Sequence, residues 1–272
     1  MAARSDTNAY ALGSDEAEHE RLIRQAAWLI AHTERLFREA GIGPGQRVLD
    51  LGSGVGDVAL IAARIVGPTG EVVGAERDPR AIARAAARMN ELGLRHVRFT
   101  QTDVSALRIG QPFDAVVGRY ILAFVRDPVA VLRDVSKVVR PGGVVAFQEP
   151  YWGSFLQACD DLPLWRAGAA LMVETFHRTG TNTHMGPDLS DAFVKAGLPQ
   201  PETHTDTLVG AERWMPDVIQ TLAPQIRAFS LPLASLGNLC TLYDRLLEEA
   251  ASRNVRAPLP ALVGAWARKP ER

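Results

Sequence analysis

Between Arg47 and Pro150 the chain alternates short apolar stretches with stretches of helical spacing or turn residues. RVLDLGS, EVVGAER, VRFTQTD, FDAVVGRY and VVAFQEP read as strands; the spacing predicts helices over 57–66, 79–92 and 128–139, and turns at GPTG and PGG. Short strands separated by helices mean βαβ units, and so a parallel sheet with right-handed connections. Ahead of this block, Leu22, Ala26, Leu29, Ile30, Thr33, Leu36 and Phe37 recur at three- and four-residue steps, which predicts a helix over 15–40. Asp15 with Glu18 resembles a capping box, and Gly41 suits the stop. After Pro150 the rhythm changes. Residues 151–200 suggest two helices and a polar loop, ETHTDTLVG a strand, 215–231 and 235–252 two further helices, and LVGAWARKP a closing strand.

The loop after the first strand carries the chemistry. In VLDLGSGVGDVAL, Gly52, Gly54 and Gly56 fall at every second position, where a buried strand hands over to a helix. Glycine there lets the backbone turn tightly and approach a ligand. In an open parallel sheet, ligands bind at the carboxyl ends of the strands. The helix that follows offers unpaired N–H groups and the positive end of its dipole. Glu76 closes the second strand, about 20 residues further on, where a carboxylate accepts from ribose hydroxyls. It also repels a 2′-phosphate, despite the neighbouring Arg77. The features together describe a nucleoside with a ribose diol, carried by NAD and by S-adenosylmethionine alike. The dinucleotide fingerprint G-x-G-x-x-G is not met: the third glycine comes one position early and Asp57 stands in its place, which favours a ligand without pyrophosphate.

VLDLGSGVGDVAL, VVGAERDP, VRFTQTDV, FDAVVGRYILAFVRDP and VRPGGVVAFQEP, in that order, resemble the successive motifs of class I S-adenosylmethionine-dependent methyltransferases. The resemblance is strongest to bacterial small-molecule enzymes, many of them from natural-product pathways. It covers about residues 10–150 closely and VGAWARKP loosely. It implies an α/β fold, a Rossmann-like doubly wound seven-stranded sheet of order 3-2-1-4-5-7-6 with the last strand antiparallel and helices added; LVGAWARKP would be that strand. It implies S-adenosyl-L-methionine as cofactor. Asp50, Gly52, Ser53, Gly54 and Gly56 would shape the pocket for its methionine and ribose parts, and Glu76 would hold the ribose diol with Arg77 beside the adenine. Asp103 would face the adenine amino group and Val104 offer a backbone N–H; Gly118 and Arg119 would lie near the methionine moiety; Tyr10 resembles a lid tyrosine. The implied division is a helical lid over 1–40, a cofactor-binding core over 41–150, an acceptor-binding insert over 151–200, and strands and helices completing the core over 201–272.

Methyl transfer is an in-line displacement in which the protein supplies alignment and a dry site. A base is needed only where the acceptor loses a proton as it attacks. The candidate catalytic residues are Glu149, at the end of strand five, His184, in the polar loop GTNTHMGPDLSDAF, and Tyr10. Glu149 could equally cap a turn, and His184 be a plain loop histidine. Tyr151 and Trp152 could stack on a planar acceptor or belong to the core, with His184 as a further acceptor contact. His177 sits on a helical face and reads as structural; His204 and Asp206 share one face of a strand. His177, His184 and Asp188 match no ligand spacing, so no metal is expected.

Composition narrows the class. A chain of 272 residues, 47% hydrophobic, can bury a sizeable core, and its apolar runs are too short and interrupted to span a bilayer. The acidic N-terminus has no signal-peptide h-region, and Cys159 and Cys240, the only cysteines, read as inert core thiols; a cytoplasmic protein is expected. A net charge of −1 argues against a nucleic-acid partner. The expected partner is a small-molecule acceptor, with no membrane; the helices after Met215 could form a dimer face, giving a homodimer, or a lid. The rival readings are a nicotinamide oxidoreductase, an RNA or protein methyltransferase, and a cofactor-binding module without catalysis.

Overall fold

The computed structural model describes residues 12–13, 15–104 and 110–271. One sheet of seven strands organises them, in the order β3-β2-β1-β4-β5-β7-β6. The strands are β1 (Arg47–Leu51), β2 (Glu71–Glu76), β3 (Val97–Gln101), β4 (Phe113–Arg119), β5 (Val139–Tyr151), β6 (Glu202–Asp206) and β7 (Ala261–Arg268). β1 pairs in parallel with β2 and β4, β2 with β3, and β4 with β5; β7 runs antiparallel to both β5 and β6. This is the Rossmann-like order expected from the motifs. The order reverses between β1 and β4, so their carboxyl ends diverge and leave a crevice.

The helices are α1 (Glu16–Glu39), α2 (Asp57–Val66), α3 (Pro79–Glu91), α4 (Pro128–Val138), α5 (Trp152–Ala158), α6 (Pro163–Arg178), α7 (Met185–Lys195), α8 (Trp214–Ala228) and α9 (Leu242–Ser252). Successive β4 side chains face opposite ways, as a strand requires. Ala115 and Val117 join the core under α1 and α2, and Val116 joins the core under α4 and α7. A third apolar cluster, around Trp165, Trp152 and Trp214, lies among α5, α6, α8 and α9. Each fully buried Leu, Phe or Met in these layers contributes roughly 1.5–3 kcal/mol. No helix among the described residues is long and apolar enough to cross a membrane.

Four local expectations are corrected. The PGG turn is a bulge inside β5: Phe113 faces Val139 and the register resumes at Ala115 with Val144, so 140–143 bow out around Gly142 at φ 71°. Lys269 Nζ donates to the Val139 and Ser136 carbonyls there, so the irregular backbone stays bonded. Residues 151–200 hold three helices, not two. The capping box is only half formed: Asp15 accepts from the Glu18 N–H at 2.8 Å, but the Glu18 carboxylate turns inward to Arg21. Cys159 is buried as expected, but Cys240 is exposed.

α1 is tied to the sheet beside the crevice. Thr33, fully buried, donates to Gln148 Oε1 on β5 at 2.7 Å and accepts from the Arg119 guanidinium on β4 at 2.8 Å. Gln148 Nε2 donates to the His32 carbonyl.

Candidate functional site

The crevice opens into a cleft of about 1250 Å³, larger than the roughly 300–1,000 Å³ of a single-ligand pocket. One half is built by the strand ends. Gly52, Ser53 and Gly54 line it, with Glu76, Arg77, Asp103, Val104 and Arg119. Gly52, Gly54 and Gly56 all have positive φ, of 68°, 50° and 86°, the left-handed region that favours glycine. Their surroundings differ. A Cβ on Gly52 would meet Ile121 Cδ1 at 2.5 Å, and one on Gly56 would meet Ala85 and Phe99 at 3.1 and 3.2 Å; one on Gly54 would meet nothing within 4 Å. Gly52 and Gly56 thus serve packing, and Gly54 presents bare backbone to open space.

Glu76 stands beside that backbone. It accepts from the Gly54 N–H at 2.9 Å with one oxygen, and from the Arg77 and Asp78 N–H groups at 2.8 and 3.0 Å with the other. The loop and the carboxylate are therefore positioned as one unit. Behind the loop, Asp50 Oδ2 and Ser53 Oγ are buried with no hydrogen-bond partner among the described residues. Burial raises the Asp50 carboxyl well above its ordinary range, opposed by the neighbouring Arg119 charge. Arg119 itself is lowered by burial and held by Asp57 and Asp50. A carboxylate prepared for two hydroxyls, bare backbone, an inward-facing cation and unspent buried oxygens fit a nucleoside carrying a charged amino-acid tail.

The other half is aromatic. Phe124, Trp152, Phe176 and Trp214 line it together with Tyr120. Trp152 packs on Phe176 at 4.9 Å between ring centroids and on Trp214 at 5.8 Å. Along α1, residues 18, 21 and 25 share a face as a polar row. Arg21 donates from Nε and NH2 to the buried Glu18 carboxylate and from NH1 to Gln25, and Gln25 accepts from Trp214 Nε1 at 3.1 Å. Burial raises the Glu18 carboxyl, and Arg21 pulls it back. The pair cancels its charge, so the aromatic half meets a ligand as a near-neutral surface.

Several predicted residues are not at the cleft. Asp50 and Gly56 lie beneath its floor. Gly118 is a packing glycine whose Cβ would strike Phe147 at 2.6 Å and Ile121 at 2.9 Å. Glu149 is fully buried; it accepts from the N–H groups of Ile121, Leu122 and Ala123 at 3.0, 2.7 and 3.2 Å. It caps the 3₁₀ turn Leu122–Phe124, the turn-capping arrangement, and does not line the cleft. His184 starts α7, with 60% of its side chain exposed and Nδ1 2.9 Å from Asp188 Oδ1. Tyr151 packs edge-on against it at 5.4 Å, and neither lines the cleft. His177 contacts the Thr183 hydroxyl. His204 and Asp206 meet Glu39 and His32 at the back of α1. Tyr10 lies outside the described residues. We expect His184→Ala to change melting stability by less than about 0.5 kcal/mol and to leave turnover within twofold; a large drop in turnover would return His184 to the site.

Sequence reasoning missed Tyr120, Phe176, Trp214 and the polar row on α1. The row was visible as a three- and four-residue spacing of Glu18, Arg21 and Gln25 beside the apolar stripe. The three aromatics carry no local signal, because they converge from separate elements.

The family described as a methyltransferase domain matches residues 42–192. The arsenite methyltransferase of Halobacterium salinarum is 32% identical over 111 residues, covering 40% of this chain and 28% of that protein. The ubiquinone/menaquinone biosynthesis C-methyltransferase of Pseudomonas putida is 30% identical over 183 residues, covering 62% of this chain and 71% of that protein. The chain therefore spans under a third of the first and somewhat over two thirds of the second. Among solved structures, the YcgJ protein of Bacillus subtilis shares the fold with a TM-score of 0.60 at 17% identity, over 89% of this chain and 100% of that one.

Proposed function

This chain belongs to the methyltransferase-domain family, the class I S-adenosylmethionine-dependent enzymes, and from that premise we propose that it methylates a small-molecule acceptor held in the aromatic half of the cleft. The observation that carries the reading is the joint placement of Glu76 and the open backbone of Gly54 at one end of a cleft whose other end is aromatic. A concave, near-neutral site of this size suits a small molecule better than a polyanion. In this reading 41–150 hold the cofactor, 1–40 and 151–200 wall the acceptor, and 201–272 complete the sheet.

S-adenosylmethionine, when bound, supplies an electrophilic methyl group on a sulfonium centre. Glu76 would accept from the ribose hydroxyls, and Gly52 to Gly54 would approach with backbone alone. Asp103 and Val104 line the far side for the base. Arg119, fixed by Thr33, presents a cation suited to a carboxylate. Trp152, Phe176 and Trp214 exclude water and orient the acceptor by ring contact. With Glu149 and His184 turned away, no ionised carboxylate or imidazole of the predicted set faces the acceptor half. In this reading alignment carries the chemistry, and any acceptor proton is lost to solvent only after the methyl has transferred and the product leaves the site.

Calorimetric titration tests the reading. S-adenosylhomocysteine should bind with a one-to-one stoichiometry and NAD should not bind. Binding of NAD alone would replace the methyltransferase reading with hydride transfer.

A further inference from the structure

We propose that Tyr120 sets the length of acceptor that the enzyme admits, by standing as the partition between the main cleft and a smaller chamber behind it. The proposal rests on the methyltransferase reading above.

The second chamber, of about 220 Å³, lies between α1 and the segments around Leu208 and Leu259. Its walls are mixed: Trp28, Leu29, Leu208, Leu259 and the exposed Val209 stand beside the polar Gln25, His32 and Thr207. Gln25, Tyr120, Trp214 and Pro260 line both spaces, so these side chains form the partition. Gln25 is held by Arg21 and Trp214. Trp214 is bonded to Gln25 and packed against Trp152 and Phe155. Pro260 has a closed ring and precedes Ala261, whose N–H donates to Ser154. Tyr120 differs from all three: its hydroxyl has no hydrogen-bond partner among the described residues.

Its backbone is unusual as well. Tyr120 has φ 57°, which a bulky residue rarely adopts, directly after the strand end that carries Arg119. Its N–H donates to the Gln148 carbonyl at 2.9 Å, so the strained backbone is pinned while the ring is left without a polar anchor. Strain of this kind persists where the surroundings enforce it and gathers at functional positions. The chamber behind the ring is too small for a second ligand, and Trp28, Leu29, Leu208, Val209 and Leu259 give it an apolar wall. It suits the apolar arm of a molecule whose reacting end lies in the main cleft.

Calorimetry on protein saturated with S-adenosylhomocysteine reads this directly, with 4-alkylphenols from 4-methylphenol to 4-octylphenol as probes. In the wild type, affinity should rise about fourfold per buried methylene and then level off where the chain meets Tyr120. Tyr120→Gly removes the partition and suits the positive φ; its levelling point should move to longer chains. Tyr120→Phe keeps the ring and should level with the wild type. Adding Val209→Trp to Tyr120→Gly refills the chamber from its exposed rim and should restore the wild-type limit. Tyr120→Ala, run in parallel, covers poor folding of the glycine variant. The same levelling point in Tyr120→Gly, Tyr120→Ala and wild type, or no binding by any phenol, would overturn the proposal. Failure of S-adenosylhomocysteine itself to bind would overturn the methyltransferase reading instead.

Discussion

Glu76→Ala is expected to raise the dissociation constant for S-adenosylhomocysteine about a hundredfold or more while the protein stays folded. Hydrogen bonds to a charged group contribute about 1.5–3 kcal/mol each, and two ribose hydroxyls on one carboxylate give about 3 kcal/mol at the low end, more than a hundredfold in affinity. The same carboxylate also accepts from Gly54, Arg77 and Asp78 N–H groups. These sit at partly exposed positions, so water can replace the lost partner and stability should fall by only about 1 kcal/mol. Calorimetry gives the first quantity and thermal melting the second. An unchanged dissociation constant would remove Glu76 from the ribose site and leave it as a cap for the loop.

Glu149→Ala should act on folding first. Its carboxylate serves three N–H groups, two of which belong to fully buried residues, Leu122 and Ala123. Leaving buried donors unpaired costs about 1–3 kcal/mol each, so a loss of roughly 3–5 kcal/mol follows, a large share of a typical domain's stability. Burial pushes the Glu149 carboxyl up to about 7, only partly offset by the N–H groups of Leu122, Ile121 and Ala123. A folded pKa above the unfolded one means that this stabilisation is complete below the ordinary carboxylate range and is lost as pH rises through about 7. Urea melts of the wild type between about pH 5 and 8 should therefore show falling stability relative to Glu149→Gln, which cannot ionise. Parallel curves for the two proteins would mean that the carboxylate stays ionised throughout.

The parallel βαβ core and the loop at Gly52–Gly56 were legible because both are local patterns: apolar stretches with helical breaks, and glycines that only a positive φ or a close approach explains; the strand order came from the resemblance of the motifs to a known family. Glu76 was legible because its position follows from the length of one βαβ unit. The acceptor side was not. Glu149 has the right address, the end of β5, but sequence shows neither its burial nor the three N–H groups that claim it. His184 has suitable chemistry but points to Asp188 and solvent. Trp214 and Phe176 meet Trp152 only through tertiary packing across α5, α6 and α8, and the backbone strain at Tyr120 leaves no mark in GRY. The PGG turn was misread because a bulge and a turn use the same residues; pairing with β4 and β7 decides between them.

The outermost strands have a consequence for association between copies. β3 and β6 are five residues each, and both carry charged or polar groups outward: Arg98, tied to Glu71, on one and Glu202, Thr203 and Thr205 on the other. A sheet edge that is short and charged resists strand addition by a neighbour. A second copy adding to this sheet would bury those groups, which disfavours self-association through the sheet edges. The same edges protect the folded chain from the strand-to-strand aggregation to which a long apolar rim would expose it.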